Sequence, residues 1–308
     1  MKELHLEHVL SLSHTPLCQL LSMANETRVQ HIGDRLELCS IINAKSGACG
    51  EDCKFCAQSR YHRTHAAIYP LKEPDEIIAH AKKAQKDGAM RYSLVTSGKS
   101  PDTKDMKKII RIIEALKKNT HLRLCASLGI ITSDNLCDLK KAGLDRYHHN
   151  IETSPEFFPH ITTTHKFSDR IDTIKRVKDA GLEACSGGII GLGENVEDRI
   201  KMLICLNDLH VDAIALNILI PIAGTGMENR VPLSAIDVIR TICLYRIASQ
   251  DTPIIIAAGR LNHYKDFQGL MFLAGANGLM IGNYLTTQGR SKSEDKELIA
   301  QIKGLWNG

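Results

Sequence analysis

The chain has 308 residues, 43% hydrophobic and 24% charged, with a formal net charge of +4. That length buries a sizeable core as one barrel or two ordinary domains. The small charge, with one Trp, six Phe and seven Tyr, leaves no basic stripe with interleaved aromatics and argues against nucleic-acid binding. No stretch approaches the ~20 apolar residues of a bilayer span, and Glu3, His5, Glu7 and His8 break any secretory apolar region. A cytoplasmic protein without a membrane partner is expected.

Residues 1–35 read as a helical lead-in, with Pro16 suited to a helix start. Short apolar runs then alternate with longer amphipathic ones. Leu36–Asn43, Tyr92–Val95, Leu122–Ser127, Arg146–Ile151, Ala184–Gly191, Ala213–Ile220, Pro253–Ala257 and Gly278–Ile281 read as strands. Between and after them, Glu76–Lys86, Met106–Lys118, Asp134–Ala142, Arg170–Ala180, Val196–Leu209, Ile236–Ser249, Lys265–Leu273 and Lys296–Trp306 read as helices. About eight βα units without a linker fit an α/β fold of the (β/α)₈ TIM type. Residues 1–308 are therefore expected to form one barrel domain with an N-terminal helical extension. A doubly wound sheet is the competitor, since periodicity alone does not show closure.

Ten cysteines in a chain of this kind favour metal binding or catalysis over disulfides. Three of them form Cys49-Gly50-Glu51-Asp52-Cys53-Lys54-Phe55-Cys56, a C-x₃-C-x₂-C run in the loop after the first strand. Three thiolates can hold three irons of a cubane and leave the fourth open. A zinc site needs a fourth ligand, for which His62 is a candidate. Cys137, Cys205 and Cys243 fall on apolar helix faces and read as core packing, and Cys18 carries no assignment.

Phe55, directly before the last cysteine, resembles the aromatic of the radical S-adenosylmethionine superfamily motif C-x₃-C-x-φ-C. The stretch Asn43–Ser59 is more narrowly similar to the cluster loop of biotin synthases. Tyr147–Ser154, Cys185–Glu194, Ala257-Ala258-Gly259-Arg260 and Ala274-Gly275-Ala276-Asn277 resemble further motifs of that family, so the likeness runs from about Leu36 to Gln288. It implies a (β/α)₈ barrel, usually a homodimer, that inserts sulfur into dethiobiotin with 5′-deoxyadenosyl radicals. The radicals come from S-adenosylmethionine on a [4Fe–4S] cluster, here expected on Cys49, Cys53 and Cys56. The sulfur comes from an auxiliary iron–sulfur cluster, and a flavodoxin- or ferredoxin-like protein donates electrons.

Carried over by position, the likeness implies that Thr96, Ser97, Gly98, Asn150, Glu152 and Arg170 bind S-adenosylmethionine. It likewise implies that Asn150 and Asn217 bind dethiobiotin. The family's auxiliary [2Fe–2S] cluster uses three cysteines and one arginine. Cys125, Cys185 and Arg260 match three of those positions, and the fourth aligns with Ser93, a poor iron ligand. Cys39 on the first strand is the expected replacement, and Cys39, Cys125 and Cys185 together suit a cubane-type cluster with one open iron. A related maturase or mutase, a non-catalytic iron–sulfur electron carrier and a zinc module are the competing readings.

Overall fold

The computed structural model describes residues 6–264 and 267–307. Helices α1 (Leu6–Ser13) and α2 (Leu17–His31) precede eight strands. These are β1 (Glu37–Lys45), β2 (Arg91–Thr96), β3 (Arg123–Ser127), β4 (Arg146–His148), β5 (Glu183–Ile190), β6 (Ala213–Ile218), β7 (Ile254–Ile256) and β8 (Gly278–Met280). All neighbours pair in parallel, and β8 returns to β1, so the sheet is a closed barrel rather than an open doubly wound one.

Helices α3 (Pro74–Lys86), α4 (Thr103–Asn119), α5 (Ser133–Lys141), α6 (Phe167–Asp179), α7 (Val196–Asp208) and α8 (Ala235–Ala248) alternate with the strands. The short α9 (Arg260–His263) and α10 (Gln268–Leu273) follow β7, and α11 (Lys292–Asn307) closes the chain. The helix expected over Lys265–Leu273 is present from Gln268 onward, while Lys265 lies outside the described residues.

Local chemistry explains the helix starts. Pro74 opens α3, where its missing N–H costs nothing. Asp102 caps α4 by accepting from the Asp105 amide at 2.7 Å, and Asn195 with Asp198 makes a reciprocal capping box on α7. In α4, Met106, Ile109, Ile112, Ile113 and Leu116 are buried, each contributing about 1.5–3 kcal/mol by leaving water. The lead-in helices α1 and α2 pack on α7 and α8. Arg240 of α8 pins their junction by donating to the Ser13 and Thr15 carbonyls at 3.0 and 2.6 Å. Of the three cysteines read as helix packing, Cys243 is buried and Cys205 half-buried, but Cys137 is exposed.

Alternate strand residues face the barrel interior. Going up from the floor, this places Glu37, Cys39 and Ile41 on β1 and Arg91, Ser93 and Val95 on β2. Cys125 and Ser127 follow on β3, Arg146 and His148 on β4, and Glu183 and Cys185 on β5. Strand β4 ends at His148 instead of continuing to Ile151. The backbone leaves the ladder there: Ile151 and Glu152 amides both donate to the Gly187 carbonyl, at 2.9 and 3.1 Å, and Glu152 adopts φ 71.

Candidate functional site

The C-terminal ends of the strands open on a cavity of about 430 Å³ that runs from the cluster loop down the barrel axis. Cys49, Cys53 and Cys56 line its mouth, and Cys39, Cys125 and Cys185 line its depth. All six thiols are free.

The mouth loop is held by a latch absent from the sequence reading. Asp52 accepts from the Thr162 and Thr163 hydroxyls at 2.6 and 2.5 Å, and from the Thr163 and Thr164 amides at 2.9 and 3.2 Å. Burial would raise the Asp52 carboxyl, but these bonds outweigh it and hold the group well below the usual carboxylate range. Phe55 packs against the small apolar cluster of Phe158, Ile161, Leu192, Leu219 and Met227, which fixes the other side of the loop. A turn closed by Cys56 N–H to the Cys53 carbonyl at 2.9 Å brings the last two cysteines together. Burial raises the Cys53 thiol to about 12 and Cys56 to about 11. A bound metal centre reverses that preference, since a coordinating thiol is deprotonated. His62, the zinc candidate, has its Nδ1 2.9 Å from the Cys56 carbonyl and is not among the cavity-lining residues. Three thiols with no fourth Cys or His among the described residues at the mouth suit a cubane with an open corner better than a structural zinc.

A polar chain links this loop to β4. His165 Nδ1 lies 2.5 Å from Glu51, and Arg170 Nε donates to His165 Nε2 at 3.1 Å. Arg170 also donates to the Asn150 carbonyl at 2.9 Å and to Glu152 Oε1 at 3.4 Å. Asn150 Nδ2 donates to Glu152 Oε2 at 3.2 Å, leaving Asn150 Oδ1 buried with no hydrogen-bond partner. Burial raises the Glu152 carboxyl, against the pull of Arg170 and Asn150. Gly188 makes the Glu152 conformation reachable: a Cβ there would sit 2.3 Å from the Glu152 carbonyl and 2.4 Å from Met202 Sδ. Gly188→Ala is expected to cost about 1–3 kcal/mol by overpacking, measured as a lowered urea midpoint with unchanged slope.

Thr96, Ser97 and Gly98 lie at the same rim, where the Ser97 hydroxyl donates to the Gly47 carbonyl at 2.8 Å. Asn217 lines the opposite wall, with Nδ2 donating to the Gly188 carbonyl at 3.3 Å and Oδ1 accepting from the Ala258 amide at 3.1 Å.

At depth, Cys39 packs with Cys185, Ala213, Ala215 and Ile255, and Ser93 joins Cys39, Cys125 and Cys185 in lining the same space. Burial raises all three thiols, Cys185 to about 12. His148 Nδ1 lies 3.3 Å from Cys185 Sγ, and burial with Arg146 nearby lowers its imidazole to about 4.

The expected auxiliary ligand Arg260 is not brought here. Strand β7 stops at Ile256, and Gly259 at φ 94 turns the chain so closely that a Cβ would meet the Ile218 carbonyl at 2.1 Å. Arg260 then opens α9 and donates to Gln268 at 2.9 Å, Asp295 at 2.7 Å and the Met280 carbonyl at 3.1 Å. Ile255 is the β7 side chain that reaches the thiols. The arginines lining the cavity are Arg91, Arg146 and Arg170.

A closed parallel barrel with three thiols on its β1 loop defines a radical S-adenosylmethionine enzyme. The family model of the Radical SAM superfamily matches residues 44–205, and the Biotin and Thiamin Synthesis associated domain matches 215–304. The chain belongs to the biotin synthase family. It is 51% identical to a biotin synthase of Thermotoga petrophila, covering 88% of this chain and 91% of that relative. A Clostridium perfringens biotin synthase is 45% identical over 96% of this chain and 92% of its own length. Among solved structures, methylornithine synthase superposes with TM-score 0.85 at 19% identity, covering 98% of this chain and 93% of that one. The FeFe-hydrogenase maturase of Carboxydothermus hydrogenoformans gives 0.84 at 18%, covering 97% and 75%. At those identities the likeness is one of fold. Membership of the family brings a [4Fe–4S] cluster and S-adenosylmethionine as cofactors. No described helix is long and apolar enough to cross a membrane.

Proposed function

We propose that this chain converts dethiobiotin to biotin by radical sulfur insertion, with both of its iron–sulfur centres in one barrel cavity. The observation that carries the reading is the stacking of two thiol triads, Cys49/Cys53/Cys56 and Cys39/Cys125/Cys185, along a single cavity. When bound, a [4Fe–4S] cluster with S-adenosylmethionine supplies 5′-deoxyadenosyl radicals, and an auxiliary cluster supplies the sulfur.

The chain's own residues bind, orient and exclude water. Cys49, Cys53 and Cys56 would hold the mouth cluster. Backbone carbonyls of Thr96-Ser97-Gly98 take the methionyl amine. Arg170, steadied by His165, the Asn150 carbonyl and Glu152, would offer its remaining Nη2 donor to the methionyl carboxylate. The unpartnered Asn150 Oδ1 accepts from a ligand hydroxyl or N–H, and Glu152 accepts from the ribose. Ile41, Val95, Ile189 and Ala215 give the middle of the cavity an apolar wall that keeps water from a carbon radical. Cys39, Cys125 and Cys185 hold the auxiliary cluster, and three thiolates suit a cubane-type centre with one open iron better than a diamond core. Residues 1–308 act as one domain in a cytoplasmic homodimer, reduced by a flavodoxin- or ferredoxin-like protein.

Anaerobic reconstitution tests this, with iron and sulfide quantitation, Mössbauer spectra and assay of biotin from dethiobiotin. The expected result is two clusters per chain and biotin formation. One cluster, with 5′-deoxyadenosine but no biotin, would instead point to a maturase- or mutase-type enzyme. Within the reading, Asn217→Ala should weaken dethiobiotin binding by about 1–3 kcal/mol and S-adenosylmethionine binding less. Equal losses in calorimetry would remove Asn217 from the substrate's wall.

A further inference from the structure

Beneath the inner thiols the barrel is closed by charge. Arg91 Nε contacts Glu37 and its Nη2 contacts Glu183, both at 2.9 Å. Arg146 Nη1 contacts Glu37 and its Nε contacts Glu183, both at 2.8 Å. Each guanidinium thus bridges both carboxylates, and four strands are tied into one ring. The two arginine side chains are only 3% and 5% exposed, and Arg123 reaches Glu183 from the solvent side.

Such a ring is a costly way to plug a barrel. Desolvating each buried charge costs several kcal/mol, and well-packed apolar residues of similar volume are often as stable or more so. Barrel interiors that need only filling use Val, Ile and Leu. Two features show that these charges also face a ligand space. Arg91 Nη1 is buried with no hydrogen-bond partner, and both guanidiniums line the cavity alongside Cys39, Cys125 and Cys185. Ser93, two residues up β2 from Arg91, pairs with Cys125 on β3. One step up β4 from Arg146, His148 meets the Cys185 sulfur. The chamber is therefore floored by guanidiniums and walled above them by the three thiols.

We infer that the Arg91–Glu37–Arg146–Glu183 ring is a fixed-charge seat for the auxiliary cluster, with Arg146 its central positioning residue. The inference rests on the reading that Cys39, Cys125 and Cys185 hold that cluster. Loading three thiols releases three protons and leaves three thiolates in a desolvated chamber. The Arg91 and Arg146 guanidiniums that line the chamber offset part of this charge, against the Glu37 carboxylate that the Cys39 thiol faces at 3.8 Å, and the buried Arg91 Nη1 is available for a cluster sulfur. Glu37 on Nη1 and Glu183 on Nε hold Arg146 as a protonated guanidinium, so it serves as a charged neighbour of the cluster and not as an iron ligand. A lysine in its place would keep the charge but not the two-carboxylate fork. A nearby cation favours the reduced form of a cluster, since reduction adds negative charge.

The test compares wild type, Arg146→Met and Arg146→Lys after anaerobic reconstitution. It measures iron and sulfide per chain, chemical denaturation, and the midpoint potential of each cluster by spectroscopic titration. Arg146→Met should shift the auxiliary redox equilibrium about tenfold toward the oxidised form, about 59 mV more negative for one electron. The Cys49/Cys53/Cys56 cluster should keep its potential, and Arg146→Lys should fall between wild type and Arg146→Met. A merely structural ring would lower the denaturation midpoint of both variants and leave the auxiliary potential unmoved, which overturns the inference. Should Arg146→Met fail to fold, the Arg146→Lys potential decides. If wild type itself takes up only the mouth cluster, the auxiliary reading fails first and the seat fails with it.

Discussion

Cys53→Ala should abolish formation of 5′-deoxyadenosine from S-adenosylmethionine under reducing conditions, a loss of more than ~100-fold. Even changes to groups that only orient metal ligands cost roughly 10–100-fold, and this substitution removes a ligand outright. Cys53 is the most enclosed of the mouth thiols, with its sulfur 3.8 Å from the Thr162 hydroxyl. It also sits in the turn that fixes Cys56. Cys53 touches the Asp52 latch only through its weak thiol contact to Thr162, and the latch bonds and the Phe55 contacts are made by other side chains, so the loop should stay in place and the variant should fold. Iron content should drop by the mouth cluster alone. Chromatographic detection of 5′-deoxyadenosine at wild-type rates would refute the radical reading of this loop.

The barrel and the mouth thiol triad were legible because each follows from a short-range pattern. Alternating runs of period two and period three to four announce βα units, and three closely spaced cysteines announce a metal-binding loop. What the pattern lacks is direction at the ends of strands. Arg260 has the right residue type beside the right motif, yet the turn at Gly259 sends its guanidinium to Asp295 on α11. Only the alternation within β7, which points Ile255 at the thiols, carries the signal that decides this. The same rule brings out the charged floor, since Glu37, Arg91, Arg146 and Glu183 lie two residues before Cys39, Ser93, His148 and Cys185 on their strands. Taken one at a time they look like exposed strand ends. Their pairing spans 146 sequence positions, from residue 37 to residue 183, and no local window contains it.

Cys39→Ser should separate the two proposed centres. The auxiliary iron should be lost while the Cys49/Cys53/Cys56 cluster and 5′-deoxyadenosine formation survive, because the substituted residue lies at the far end of the cavity from the mouth loop. Biotin formation should fall to background, since a substrate radical formed above would meet no sulfur donor. Ser93→Ala, at the position where the family's cysteine is missing, should change iron content and activity little. A hydroxyl is a weak partner for iron beside thiolates. Iron analysis, low-temperature Mössbauer spectra and product assay read all of this from the same preparations. An inactive Ser93→Ala beside an active Cys39→Ser would assign the ligand to Ser93 instead.

The seam of the barrel bears on how the molecule is made. β1 and β8 meet through three register pairs, Glu37 with Gly278, Leu38 with Leu279 and Cys39 with Met280. Those pairs join positions about 240 residues apart, so their loop-closure entropy is among the largest in the chain. Until β8 emerges during synthesis, β1 and β7 present unpaired strand edges of the kind that aggregate. Cys39 lies within that last register, so the chamber around it has no complete wall until nearly the whole chain has been translated. Loading of the proposed inner cluster would therefore be coupled to the final event of folding, whereas the mouth loop could take its metal centre once the strands that latch it are in place.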